Sequence, residues 1–260
     1  MFLACKLMKV IPDPEVQTSL MKVLSKKEIQ KYESFTTLDG NYKDLYCYVR
    51  KIYDFSLGYI YEICYENSIR VPVLRRESRD DPPRPEYVYD EIKIADKIFL
   101  VYYTQPPVGN FIGILSGENN ARKIASILSK LVNSDLSKSV RCFSEIKFLI
   151  KNNEHAIRQI PDFLDVTEVH IEKIPDIYID TLYMKGTMLD QSEEYQKFVE
   201  SLGGELKVLA VKFKDRIYYI YETGKIFTKQ ANLASTERYI DETSLIYELM
   251  KLLHGAKCFT

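Results

Sequence analysis

An internal repeat is the feature of this sequence that most constrains its fold. Three segments recur in the same order in the two halves of the chain: 11–22 with 174–185, 28–32 with 194–198, and 96–102 with 215–221. Matches that keep one order indicate a duplicated supersecondary unit. We therefore predict two copies of one unit, with an insertion in the first copy at about residues 36–90.

The second copy contains the predicted unit without interruption. Alternating apolar residues indicate extended structure within 167–188, and Ser192 is positioned to cap a helix that ends at Gly203 and Gly204. Three strands are predicted next, at 205–213, 216–222 and 225–231. Asp241 is predicted to cap the last helix. The unit is β-α-β-β-β-α, which predicts an α+β protein with a curved antiparallel sheet and its helices on one face.

The repeat defines three regions of the chain. The first copy occupies 1–135, a helical connector 136–164, and the second copy 165–260. Within the insertion, residues 75–90 combine alternating charges with three prolines, which predicts a mobile loop. The insertion could also lie across the open face of the sheet.

Charge and cysteine content exclude several classes of protein. The chain has 36 basic and 37 acidic residues, so it has no global attraction to nucleic acid or to acidic lipid. Its five cysteines are odd in number and lack metal-ligand spacing, which is typical of reduced thiols in a cytoplasm. No apolar run approaches the roughly 18–20 residues of a membrane span, so we predict a cytoplasmic protein without a membrane partner.

Catalytic motifs are absent from the sequence. It contains no Gly-rich dinucleotide or phosphate loop, no nucleophile elbow and no HExxH zinc motif. The three histidines, His155, His170 and His254, are interpreted as structural, and nothing orients His155 toward Cys142 as a thiol–imidazole pair. Adjacent acidic residues diverge on a helix and are not predicted to hold Mg²⁺. We therefore predict a non-enzymatic protein with no cofactor and no metal.

Two segments resemble the TATA-box-binding protein family. Residues 220–227, Ile-Tyr-Glu-Thr-Gly-Lys-Ile-Phe, resemble the family's Ile-Phe-Ser-Ser-Gly-Lys-Met-Val hairpin. Residues 113–123 resemble its Gly-Ala-x-Ser-Glu-Glu-x-Ala-Arg-Arg entry to the last helix of a repeat. The resemblance implies a saddle whose concave sheet lies on a widened minor groove, with aromatic wedges between base steps.

The resemblance also implies which residues would contact the ligand. Tyr102 and Tyr221 match the wedge positions; a tyrosine there can stack on a base, but its hydroxyl needs a polar partner when buried. The full predicted nucleic-acid-binding set is Leu100, Tyr102, Ile112, Tyr219, Tyr221, Lys225, Phe227 and Lys229.

Three functional hypotheses follow from the sequence. The first is nucleic-acid binding, to double-stranded DNA by the resemblance, as an archaeal transcription or genome-maintenance factor. Basic residues interleaved with tyrosines over 205–230 favour it. The second is an adaptor subunit of a nucleic-acid-processing or defence complex, which docks a protein partner on the same face. The third is a small-molecule or enzymatic role in a cavity between sheet and helices.

Overall fold

Thirteen strands of the described residues form one curved, open antiparallel sheet, and four helices pack on it. The computed structural model describes residues 3–37, 40–75, 84–94, 98–106, 109–148, 163–174, 180–229 and 236–255. This confirms the predicted α+β class, whereas the duplication of the β-α-β-β-β-α unit remains a prediction.

The strands are short in the centre of the sheet and long in its N-terminal half. They are β1 Leu3–Val10, β2 Gln30–Thr36, β3 Tyr42–Phe55, β4 Gly58–Arg75, β5 Arg84–Ile94, β6 Ile98–Tyr103, β7 Phe111–Leu115, β8 Phe143–Glu145, β9 Phe163–Glu172, β10 Thr181–Lys185, β11 Glu205–Phe213, β12 Arg216–Tyr221 and β13 Lys225–Thr228. Their order across the sheet is β10-β9-β11-β12-β13-β1-β7-β6-β4-β3-β2. In addition, β8 pairs with β1, and β5 pairs with the outer part of β4.

The helices begin where the sequence supplies capping groups. Helix α1, Pro14–Ser25, is capped by the Asp13 carboxylate, which accepts from two backbone N–H groups of the first turn. Helix α2 spans Glu118–Leu136, and α4 spans Thr236–Gly255. Helix α3 joins Glu193–Tyr195 to a π-helical turn at Gln196–Ser201.

Two capping predictions have opposite outcomes. The Ser192 hydroxyl accepts from the Tyr195 N–H at 3.1 Å, so the predicted cap of α3 is confirmed. Asp241 lies inside α4, which already begins at Thr236, so the predicted cap of the last helix is wrong. The apolar stripe of a helix does not mark its first turn, and here the helix extends upstream of that stripe.

Helices cover both faces of the sheet, and the prediction that they share one face is wrong. Along β6, Leu100 and Tyr102 pack with the buried side chains of α1 and α2. The alternate residue, Tyr103, points to the other face, where its hydroxyl donates to the Thr243 carbonyl of α4 at 3.0 Å. Successive residues of a strand face opposite sides, so α1 and α2 lie on one side and α4 on the other.

Only one of the three repeated segment pairs forms the same structure in both halves. Residues 98–102 lie in β6 and 216–221 in β12, as the third match predicts. In the first pair of segments, the N-terminal copy lies mainly in helix α1 and the C-terminal copy contributes to strand β10. In the second pair, the N-terminal copy contributes to strand β2 and the C-terminal copy lies in helix α3. Short stretches of mixed apolar and charged residues are compatible with either helix or strand, and long-range packing decides between them.

The predicted insertion and connector are largely parts of the main sheet. Strand β3 and the first part of β4 lie between β2 and β6, so residues 42–63 are central to the N-terminal half. Residues 84–90 belong to β5 rather than to a loop, and 76–83 lie outside the described residues. In the connector, 143–145 form strand β8 and not helix, while 149–162 are again outside the described residues.

In the described parts of the chain, no helix has both the length and the apolar character needed to cross a membrane.

Gly58 gives a direct test of this arrangement. It follows the β3–β4 turn with φ 156°, and a Cβ placed on it would lie 2.0 Å from the Tyr102 carbonyl oxygen of β6. We expect Gly58→Ala to lower the free energy of unfolding by about 2 kcal/mol or more, since β6 or β4 must shift. Urea unfolding measures this. Gly255→Ala, whose Cβ would meet open space, is the control and should cost nothing measurable.

Candidate nucleic-acid interface

All eight residues of the predicted binding set lie on the same face of the sheet. Tyr102 is opposite Ile112, which is opposite Met8 of β1. On the other side of the centre, Phe227 is opposite Tyr219. Directly opposite residues of antiparallel strands share a face, so the eight residues lie on one side of the sheet, as the alternation along the strands predicts.

Four of the eight residues are buried, and three of these lie under the helices of the N-terminal half. Leu100, Tyr102 and Ile112 are 0%, 3% and 0% exposed, because α1 and α2 cover this half of the face. The fourth, Tyr219 in the C-terminal half, is 9% exposed. The Tyr102 hydroxyl donates within the fold, to the Asn110 side chain at 3.3 Å. Uncovering an aliphatic side chain of this kind costs about 1.5–3 kcal/mol. The expected saddle with wedges in both halves is therefore replaced by a surface in the C-terminal half alone.

The other five residues form one surface, which we name the Tyr219 patch: Tyr219, Tyr221, Lys225, Phe227 and Lys229. The Tyr219 and Phe227 rings are 5.8 Å apart between centroids and inclined at 55°. The Lys225 ammonium lies 4.6 Å from the centre of the Tyr221 ring, and that of Lys229 lies 5.2 Å from the centre of the Tyr219 ring. Contacts at these distances are cation–π contacts.

The patch is continuous with a small buried cluster on the neighbouring strand. Val208 and Ala210 of β11 lie directly opposite Tyr221 and Tyr219, are buried, and form a separate apolar cluster with Tyr219. No helix within the described ranges contributes to that cluster.

The β12–β13 turn aligns the two strands, and Gly224, with φ 78°, passes close to the Ile146 carbonyl oxygen. A side chain at that position would collide with this carbonyl, so the turn requires glycine.

Ion pairing reduces the positive charge that the sequence predicts for this segment. Lys207 lies 2.7 Å from both Glu205 and Glu222, and the hydrogen bonds that it donates to the two carboxylates raise its pKa. Lys214 pairs with Glu248, and Arg216 with Glu242. Lys225 and Lys229 have no ion pair to any described residue, so they supply the free charge of the patch.

Sequence reasoning missed a polar cluster beside the patch, on β9 and β10. The Tyr183 hydroxyl donates to the Glu168 carboxylate at 2.6 Å, and Lys185 lies 3.2 Å from the same carboxylate. The His170 and Tyr183 rings meet edge to face at 4.6 Å. The alternation of residues within 167–188 predicted strands here, but only their pairing with β11 places these side chains on the Tyr219 face.

This cluster shifts the pKa values of its members. The hydrogen bond to Glu168 raises the pKa of Tyr183 to about 12. Burial raises the pKa of Tyr219 and Tyr221, and the neighbouring Glu168 charge adds to the effect. Burial disfavours the charged form of Glu168, but hydrogen bonds from Tyr183 and Lys185 outweigh it and lower its pKa. The tyrosines of this face therefore stay neutral and Glu168 stays charged near neutral pH.

Within the described residues, the remaining candidate groups form neither a metal site nor an activated thiol. Among the residues that the structure describes, no three His, Cys, Asp or Glu side chains converge to hold a metal ion. The Cys142 thiol is buried, which raises its pKa and disfavours the thiolate. His155 lies outside the described residues.

Comparison with known proteins gives no family assignment. A scan against protein-family models finds no match, and a search of the curated proteins finds no relative at a significant level of similarity.

Glu168 provides a pH test of the cluster. Because its pKa is lowered in the folded state, its stabilising effect is present above the ordinary value of 4.5 and is lost as pH falls through the folded-state pKa. We expect Glu168→Gln to lower the free energy of unfolding by about 1–3 kcal/mol at pH 7 and by much less at pH 3. Denaturant unfolding at both pH values measures the difference. Glu28→Gln, in an exposed turn, is the control; a Glu168→Gln effect that does not change with pH would contradict the charge assignment.

Proposed function

We propose that this protein binds single-stranded nucleic acid through the Tyr219 patch. The observation that supports this most is the combination of the partly exposed Tyr221 and Phe227 rings with two lysines, Lys225 and Lys229, that have no ion pair among the described residues. Aromatic side chains stack on bases of any sequence, and lysines neutralise backbone phosphates.

The size of the patch favours a single strand over a duplex. Its five residues lie on β12, on β13 and just after it, and neighbouring strands are about 4.8 Å apart. A saddle that kinks duplex DNA needs wedges in both halves of the sheet, and the Tyr102 half is covered by helices. The remaining surface is short compared with the roughly 34 Å of one duplex turn.

The arrangement of lysines over rings is suited to exchange with a ligand. In the free protein, Lys225 and Lys229 occupy the ring faces. Exposed cation–π contacts are worth only about 0.5–1 kcal/mol, whereas stacking of a base on an aromatic ring is worth about 1–3 kcal/mol. An incoming base can therefore displace a lysine, which is then free to bind the adjacent phosphate.

The proposal is tested by fluorescence anisotropy of labelled single-stranded DNA, single-stranded RNA and duplex DNA, at low and near-physiological salt. We expect micromolar or tighter binding to single strands, and weaker binding to the duplex. Tyr221→Ala should reduce the binding free energy by about 1–3 kcal/mol. Lys225→Ala with Lys229→Ala should reduce the slope of log K against log salt by about 1.4, since each phosphate contact on a single strand contributes about 0.7.

The matched control is Tyr42→Ala, which removes a tyrosine that is 81% exposed at the start of β3 and should leave binding unchanged. Equal losses in Tyr221→Ala and Tyr42→Ala would remove the patch from consideration as the binding surface. No binding to any of the three nucleic acids would overturn the proposal and direct attention to a protein partner on the same face.

A further inference from the structure

Strand β3 has an edge that no described strand covers. Its first part pairs with β2, but that ladder ends at the pair Gln30 and Cys47. From Tyr48 to Phe55, β4 is the only strand of the described ranges that pairs with β3. Alternate residues of an antiparallel strand direct their N–H and C=O groups away from the existing partner. Six residues of free edge, 48–53, offer about 20 Å of strand for pairing.

A groove lies along this free edge. It has a volume of about 580 Å³ and lies between the end of α1 and β3. Its lining residues are Leu24, Ser25, Lys26, Lys27, Tyr48, Val49, Arg50 and Lys51. The groove therefore combines unpaired strand backbone on one wall with a helix end on the other. Its position is distinct from the Tyr219 patch, which lies on β12 and β13 in the other half of the sheet.

The charge of the groove indicates the kind of segment that fits it. Four of the eight lining residues are cations and none is acidic. Arg50 pairs with Glu62 at 3.1 Å, and Lys51 pairs with Asp54 at 3.0 Å. Lys26 and Lys27 form no ion pair with the described residues. These two lysines give the groove a net attraction for acidic side chains.

A second copy of the chain is a poor occupant of this edge. Antiparallel pairing of two β3 edges would bring the cations of one copy beside those of the other, and like charges facing each other across a ladder are destabilising. Lysines on an edge strand are a common protection against such self-pairing. The same charges favour a segment of opposite sign.

We propose that an acidic, extended segment of a partner protein binds here by adding a strand to the edge of β3. Main-chain hydrogen bonds to residues 48–53 would supply affinity, and Lys26 and Lys27 would select acidic side chains. This inference does not depend on the nucleic-acid proposal, because it uses a different surface and a different ligand.

The test uses a labelled peptide of sequence Glu-Val-Glu-Val-Glu-Val-Glu, whose alternation matches the two faces of a strand. Anisotropy measures its binding to the full chain at low salt. Hydrogen exchange of the backbone amides in 48–53 measures whether they become protected. We expect saturable binding with protection of this stretch. The same peptide with alternate amides N-methylated should bind at least about tenfold more weakly, because it cannot complete the ladder.

Paired variants test the charge selection. Lys26→Ala with Lys27→Ala should weaken peptide binding by roughly tenfold at low salt. Lys197→Ala with Lys251→Ala removes two exposed lysines on α3 and α4 and should change nothing. A Lys-Val peptide of the same length should not bind.

Several results would overturn the proposal. Equal binding of the N-methylated peptide would show charge attraction without strand addition, and binding without protection of 48–53 would place the peptide elsewhere. Absence of binding by the Glu-Val peptide would also reject it. Tyr221→Ala should leave peptide binding unchanged, so the outcome is separable from that of the oligonucleotide experiment.

Discussion

The whole sheet depends on the pairing of β1 with strands from both halves of the chain. It pairs with β7 on one side and with β13 and β8 on the other, and within the described residues it is the only strand that joins the halves. Lys6 in its centre is fully buried, donates to the Thr223 carbonyl and lies 3.7 Å from Glu118 of α2. Burial lowers the pKa of Lys6, and Glu145 and Glu118 oppose that shift. A buried cation held by groups from three elements fixes β1 relative to its neighbours, because an unpaired charge there would be costly.

Opposite placement of the helices divides the sheet into two halves that expose different surfaces. In the N-terminal half, α1 and α2 cover the face that carries Tyr102. In the C-terminal half, α4 covers the other face, which leaves the Tyr219 patch outside the two large cores. One continuous sheet therefore presents an aromatic, basic surface on β12 and β13 in its C-terminal half and a free strand edge beside α1 in its N-terminal half.

The sequence predicted local structure well where one pattern determined it. Strand β11 has the predicted bounds, 205–213, and β12 ends one residue short of its prediction. Alternation also placed Tyr102 and Tyr219 correctly on one face. It could not show which face a helix would cover, since β6 is apolar on both sides. The sequence also could not show that Lys207 pairs with Glu222 whereas Lys225 has no ion pair among the described residues. Ion pairs depend on neighbours that are distant in sequence.

Strand β4 is long enough to belong both to the main sheet and to the ladder with β5. Its 18 residues span about 60 Å, with the inner part in the main sheet and the outer part, from Glu66 to Arg75, paired with β5. The ladder with β5 thus continues the main sheet without an intervening loop. Because both ladders share the backbone of β4, a change of twist in the outer ladder must be accommodated at the junction near Tyr65 and Glu66, where the pairing with β3 ends and the pairing with β5 begins.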